Sequence, residues 1–218
     1  MVSKRNAYKA GKIRIDNERA ILVAAEQEFA TRGFNGASMN RIAEGAGVPR
    51  TNVHYYFTSK SDLYGKVLTD IVNLWNDAFN QISPDDDPAT AIGAYIHAKV
   101  MYSKTNPLAS KVFASEILHG APQLSLYLKK DYRVWLRQKA KVIDTWIEQG
   151  KMDPVDPFYL IFLIWASTQH YADFSVQVTS VLGKKKLSAN DYDTIAKNLC
   201  HIILKGCGIK TKDSYLTS

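Results

Sequence analysis

Between Ile164 and Phe174 the chain reads IWASTQHYADF, directly after the apolar run FYLIFL. Trp165, Ser167, Thr168, Gln169, His170, Tyr171 and Asp173 crowd a segment that begins like core. A buried helix avoids such density, because each polar group removed from water needs a partner. On a helical wheel of about 100° per residue, Phe158, Ile161, Phe162, Trp165, Gln169, Ala172 and Val176 share one face. Leu163, Ser167, His170, Phe174 and Val178 share the other, with Tyr171 beside them. Both faces are mostly apolar, which predicts burial on both sides. One side faces the parent domain; the other, with Ile195, Leu199, Ile202 and Ile203 of the last helix, faces a second subunit. Trp165 and Gln169 lie a turn apart on the inward face. An indole offers a surface for stacking and an amide offers a donor and an acceptor together, a pairing suited to a flat heterocycle. The ordinary alternative is a core amide satisfied by its neighbours.

A second group of residues has the chemistry to read nucleic acid. PRTNVHYYF presents Arg50, Thr51 and Asn52 at the start of a short helix. Arg suits guanine O6 and N7, Asn suits adenine N6 and N7, and Thr can meet a thymine methyl or a phosphate. His54, Tyr55 and Tyr56 carry ring donors for backbone phosphates, although Tyr55 could equally be core and Arg50 a solvated charge. Lys60 adds a cation beside the N-terminal amides of the next helix, a natural phosphate site. Catalysis finds little support. Ser167, His170 and Asp173 are spaced three apart, but there is no nucleophile elbow, phosphate loop, H-E-x-x-H or clustered Cys/His spacing. No catalytic residue, metal or cofactor is expected.

The elements that must carry these residues are almost all helices. Asn17–Phe34 has Ile21, Ala24, Ala25, Glu28 and Phe29 at helical spacing and stops at Gly33. MNRIAEGAGV opens at Ser38 as N-cap, Pro49 opens the next helix, and Ser59 with Asp62 forms a capping-box pattern at the start of a long one. After the break SPDDDP, the expected helices are Pro88–Thr105, Pro107–His119, Pro122–Gln149, Asp156–Leu182 and Ser188–Gly206. The fold class is therefore all-α, about nine helices. Residues 1–16 form a basic N-terminal arm, 17–66 a helix-turn-helix domain, 67–209 a larger helical effector-binding and dimerisation domain, and 210–218 a tail.

Charge and composition agree. The net charge is +7, and residues 1–14 hold Lys4, Arg5, Lys9, Lys12 and Arg14 without an acid. Such an arm is either a solubilising tail or a contact for phosphates or a minor groove. No apolar run approaches the roughly 20 residues that cross a bilayer, and no secretion signal is visible. Cys200 and Cys207 would sit about 10 Å apart on one helix, too far for a disulfide, so reduced thiols and a cytoplasmic location are expected.

MNRIAEGAGVPRTNVHYYFTSKSDLY resembles the DNA-binding domain of the TetR family of transcriptional regulators. The resemblance implies a homodimer, joined through the last two helices, on a near-palindromic operator of double-stranded DNA. It adds Ser38 to Arg50, Thr51, Asn52, His54, Tyr56 and Lys60 as DNA contacts; position 54, often Tyr in the family, is His here. GKMDPVDP followed by IFLIWASTQHYADF is similar to the corresponding segment of pyrimidine-responsive members of that family. Trp75 in its context, YIHAKVMYS with Lys99, and FASEILHGAP around Glu116 match as well. That likeness implies a pocket for uracil or thymine made by Trp75, Lys99, Trp165 and Gln169, with Tyr171 and Asp173, and a repressor released when the pocket fills. The alternative is a regulator of the same family answering to a hydrophobic or cationic molecule.

Overall fold

The computed structural model describes the backbone of residues 2–209 and the side chains of residues 12–209. The tail 210–218 and the side chains of Lys4, Arg5 and Lys9 lie outside the described residues. In chain order the helices are α1 (Val2–Gly36), α2 (Met39–Gly45), α3 (Arg50–Tyr56), α4 (Lys60–Asn80), α5 (Pro88–Thr105), α6 (Pro107–Leu118) and α7 (Ser125–Tyr127). A π-helical turn (Leu128–Tyr132) follows, then α8 (Arg133–Glu148), α9 (Pro157–Asp173), α10 (Ser175–Val181) and α11 (Ala189–Gly206). Among the described residues there is no strand. The all-α expectation holds. α1 extends back to Val2, through the segment read as an arm.

The chain divides into two compact units, one of residues up to Ile71 with Lys111–Leu124, the other of Val72–Ser110 with the residues from Ser125 onward. The first unit is built on Ile21, Phe29, Ile42, Val53, Leu63 and Leu68, all essentially sealed from solvent. α1 is bent at Gly33, whose φ of 66° lies in the left-handed region that favours glycine. α1 is tied to α2 through Glu28, whose carboxylate accepts from the Ser38 amide at 3.1 Å and from Arg41 Nε at 2.7 Å. The Ser38 hydroxyl in turn caps α2 by accepting from the Asn40 amide.

The second unit packs α5, α8, α9 and α11 around Ile96, Val100, Trp146, Ile161, Ile164 and Leu204. Its helices start where side-chain oxygens meet free amides. Asp87 accepts from Thr90 N, Asp156 accepts from Phe158 N and Tyr159 N, and Ser188 with Asp191 forms a capping box. The largest fully buried side chain among the described residues is Trp146, whose Nε1 donates to the Pro84 carbonyl at 3.2 Å. Cys200 and Cys207 are buried free thiols, and burial pushes both up in pKa.

Two expected helices are divided. Pro122–Gln149 begins at Ser125 and contains the π turn, an extra residue that periodicity does not register. Asp156–Leu182 breaks at Phe174 (φ −109°, ψ 28°). No glycine or proline marks this break. Asp173 is hydrogen-bonded to Ser110, and Phe174 stacks on His170 at 5.0 Å.

The break corrects the wheel. Val176, expected inward, is 77% exposed, and Phe162 is 45% exposed. The buried stripe of α9 is Leu160, Ile161, Ile164, Thr168 and Ala172, lying between the two expected faces. α11 also differs. Ile203 is in the core and Ile195 and Leu199 pack against it, because α11 lays its apolar stripe on α5; of the four residues expected outward, only Ile202 is exposed. Truncating the sealed Ile96 to Ala is expected to cost about 2–5 kcal/mol, read as a lowered urea midpoint at unchanged slope.

Candidate nucleic-acid interface and effector site

α2 and α3 are joined by a turn in which Gly47 adopts φ 66°, the left-handed geometry that lets α3 leave at a sharp angle. The Val48 amide donates to the Ala43 carbonyl and closes the corner. Val53 is the residue α3 buries. Arg50, Thr51 and His54 are exposed, Asn52 and Tyr56 are half-buried, and Tyr55 is 72% exposed rather than core. α3 thus presents a polar, ring-bearing surface with almost no internal partners. Arg14 of α1 places its guanidinium 5.9 Å from the Tyr55 ring centroid, which brings that cation to the same surface.

Lys60 is more committed than its sequence context implies. Its ammonium donates to the carbonyls of Asn35 (3.3 Å) and Ala37 (3.1 Å) and lies 4.7 Å from the Phe34 ring centroid. An ammonium has three donors, so one is left for a phosphate. Ser59 and Asp62 form half of the expected capping box, the carboxylate reaching the residue before the cap instead of the cap itself. The Ser59 hydroxyl accepts from the Asp62 amide, and the Asp62 carboxylate accepts from the Thr58 amide.

The second set of residues gathers around a buried lysine. Lys99 of α5 is 2% exposed, and its ammonium sits 4.4 Å from the ring centroid of Trp75 on α4. Among the described residues no acceptor is hydrogen-bonded to it. Burial holds its pKa down at about 7, against the pull of the Asp173 charge. Asp173, at the end of α9, accepts from the Ser110 hydroxyl at 2.5 Å. Its pKa is raised by burial, while Ser110, Lys99 and His170 act in the opposite direction.

An aromatic wall adjoins this pair. Trp165 Nε1 donates to the Tyr95 hydroxyl at 2.6 Å. Phe79 stacks on Tyr95 with centroids 4.3 Å apart, and Tyr132 lies 5.8 Å from Trp165. Tyr95 is one turn before Lys99 on α5 and Phe79 one turn after Trp75 on α4, so a ring ladder runs beside the cation. The π turn brings Tyr127 and Tyr132 to that ladder, with Tyr127 hydrogen-bonded to Asn76. Gln169, one turn beyond Trp165, is half-buried, and its amide has no hydrogen-bond partner among the described residues. Tyr171 is half-buried as well, and its ring meets His170 edge-on at 5.9 Å. Ser167 donates to its own helix at Leu163, so the Ser167, His170, Asp173 spacing makes no relay.

Sequence reasoning missed Tyr95, Phe79, Tyr132 and Ser110. The first two could have been found one helical turn from Lys99 and Trp75; the other two come from the π turn and from α6, which only the folded chain brings there.

Two family profiles match the chain. "Bacterial regulatory proteins, tetR family" covers residues 21–67, and "YcdC-like protein, C-terminal region" covers residues 68–210. The chain belongs to the TetR family of helix-turn-helix transcriptional regulators, ligand-responsive DNA-binding proteins rather than enzymes. It is 41% identical to the HTH-type transcriptional regulator RutR of Escherichia coli K12 over 189 residues, spanning 87% of this chain and 89% of that one. The regulator EthR of Mycolicibacterium smegmatis is 25% identical over 149 residues, 67% of each chain. Among solved structures, the putative transcriptional regulator SCO4942 from Streptomyces coelicolor superposes with a TM-score of 0.67 at 22% identity, covering 86% of this chain and 96% of that one. No described helix is long and apolar enough to cross a membrane.

The buried lysine gives the second unit a specific pH dependence. An amine with a folded-state pKa near 7 and an ordinary value of 10.5 binds fewer protons folded than unfolded between those limits. Stability therefore rises with pH across that window, and the cost of the buried charge is greatest below it. The melting temperature of the native protein is expected to climb relative to Lys99→Met between pH 7 and pH 10, other groups cancelling in the difference. Scanning fluorimetry at stepped pH checks this; parallel curves would contradict a desolvated Lys99.

Proposed function

We propose that the protein is a homodimeric repressor of pyrimidine metabolism that leaves a near-palindromic operator when uracil or thymine binds. The observation that carries the effector reading is the Lys99 ammonium, 2% exposed and 4.4 Å from the Trp75 ring centroid, with the Asp173 charge acting on it. A hydrogen bond from such a group to an arriving acceptor is worth more than one between neutral partners. A pyrimidine dione supplies ring carbonyls as acceptors, ring N–H groups as donors and a flat face. Gln169 offers a donor and an acceptor on one amide, and the indole of Trp165 suits a flat ring. Tyr171 and Asp173 are placed with the site in this reading, Asp173 as the counter-charge that steadies Lys99. The 41% identity to RutR supports the same choice.

On the DNA side, Arg50, Thr51 and Asn52 read base edges, while Ser38, His54, Tyr55, Tyr56 and Lys60 hold phosphates. One recognition helix per subunit would occupy successive major grooves roughly 34 Å apart. Exposed apolar side chains on α9, α10 and α11 (Leu163, Val176, Val181, Ile202) and at the break between the first two (Phe174) support dimerisation through that end of the chain. α4 carries Lys60 and Tyr64 in one unit and Trp75 and Phe79 in the other, so it is the natural carrier of the signal. Differential affinity of about 1–3 kcal/mol between two states is enough for the response.

The test is an operator-shift assay with and without uracil. Uracil or thymine should release the DNA, whereas a stabilising response to some other metabolite with none to either pyrimidine would sink the assignment. Gln169→Ala should blunt release while operator affinity in the absence of effector stays within about twofold of native. A parallel loss of both would remove Gln169 from the pocket. Lys60→Ala should weaken binding to every sequence and lower the salt slope by about 1; an unchanged slope, measured between low and physiological salt, removes it from the phosphate contacts.

A further inference from the structure

A cleft of about 460 Å³ in the first unit is used by neither the DNA-reading surface nor the effector residues. Its floor is Glu116 of α6, which is 3% exposed. The carboxylate accepts from the backbone amides of Gln123 (2.6 Å) and Leu124 (3.1 Å), and the Tyr64 hydroxyl is hydrogen-bonded to it. Burial and the Glu116 charge both keep Tyr64 protonated and donating. Among the described residues no Lys, Arg or His forms an ion pair with Glu116. A carboxylate this deeply buried ordinarily has a cation beside it. The loop over it is held in an uncommon shape, with the non-glycine residue Ala121 at φ 55°, a conformation that persists where surroundings over-determine it and clusters at ligand sites.

The walls and rim narrow the ligand. Phe34 and Tyr64 present rings with centroids 5.0 Å apart, and Pro122 adds a flat apolar face. Arg32 also lines the cleft; its side chain is 52% exposed and its Nε lies 3.5 Å from a Glu28 carboxylate oxygen. A simple cation would meet the Glu116 carboxylate but also the Arg32 guanidinium, with the Lys60 ammonium close behind Phe34. A simple anion would suit Arg32 but not the floor. A molecule with both charges satisfies both ends.

We propose that this cleft binds a small zwitterion of the amino-acid type. The ammonium is received by Glu116 against the faces of Phe34 and Tyr64, and the carboxylate by the Arg32 guanidinium. The site is a second ligand site, independent of the pyrimidine reading, since every residue in it belongs to the first unit.

Calorimetric titration of the full chain with the standard L-amino acids at millimolar concentration tests the assignment. At least one should bind, one per chain. Its decarboxylated amine and its deaminated acid should each bind about tenfold more weakly or worse, as should Arg32→Gln, each having lost one charge-assisted contact. Glu116→Gln should show the same loss. Should that variant fail to fold, Arg32→Gln carries the test alone, because its side chain is half-exposed and its removal leaves the core intact. The melting shift given by uracil should be unchanged in Arg32→Gln. The proposal is overturned if no amino acid binds the native protein, or if binding in Arg32→Gln stays within about twofold of native.

Discussion

An ammonium group held out of water has few options: it loses its proton, it finds a counter-charge, or the surroundings supply a substitute for hydration. Lys99 uses all of these in part. Its pKa is drawn down to about 7, the Trp75 ring lies 4.4 Å away, and the Asp173 carboxylate pulls in the charged direction. Much of the second unit is arranged around that compromise. α4 and α5 bring Trp75 and Lys99 together, α9 ends where Asp173 can be held, and Ser110 of α6 fixes that carboxylate. Phe79, Tyr95, Trp165 and Tyr132 continue outward from the cation as ring contacts and one hydrogen bond.

The first unit solves a different problem with the same economy of charge. Glu28 is the acceptor that orients α2 on α1, and Lys60 ties the end of α1 to the start of α4 through carbonyls. These bonds leave α3 free to bury only Val53 and present its remaining side chains outward. α3 buries little of itself, and its neighbours provide the hold. Glu116 of this unit is buried more deeply than Glu28; backbone amides and a phenol satisfy it, and among the described residues no cation pairs with it.

The sequence made the helical class and most helix starts legible, because a cap is a local event. Asp87, Asp156 and Ser188 each bond an amide two or three residues away, and such pairs can be read from the chain. The turn at Gly47 and the outward residues of α3 were legible for the same reason. Trp165 and Gln169 could be paired by periodicity alone, and family resemblance supplied Trp75 and Lys99. Periodicity failed at Phe174 and at Leu128–Tyr132, where one helix breaks and another gains a residue without a glycine or proline to announce it.

Sequence alone determined which residues could do chemistry and which helices carry them, since composition, capping and periodicity act over a few residues. Only the tertiary structure decided which of those residues meet. The stripe α11 buries was settled by α5, which took Ile203 into the core and left Ile202 outside. The burial of Lys99 was settled by Trp75, distant in sequence, and the position of Asp173 by Ser110 on another helix. Desolvation is a property of everything packed around a group. For that reason the charge state of Lys99 and the surroundings of the Glu116 carboxylate were readable only once the helices were in place.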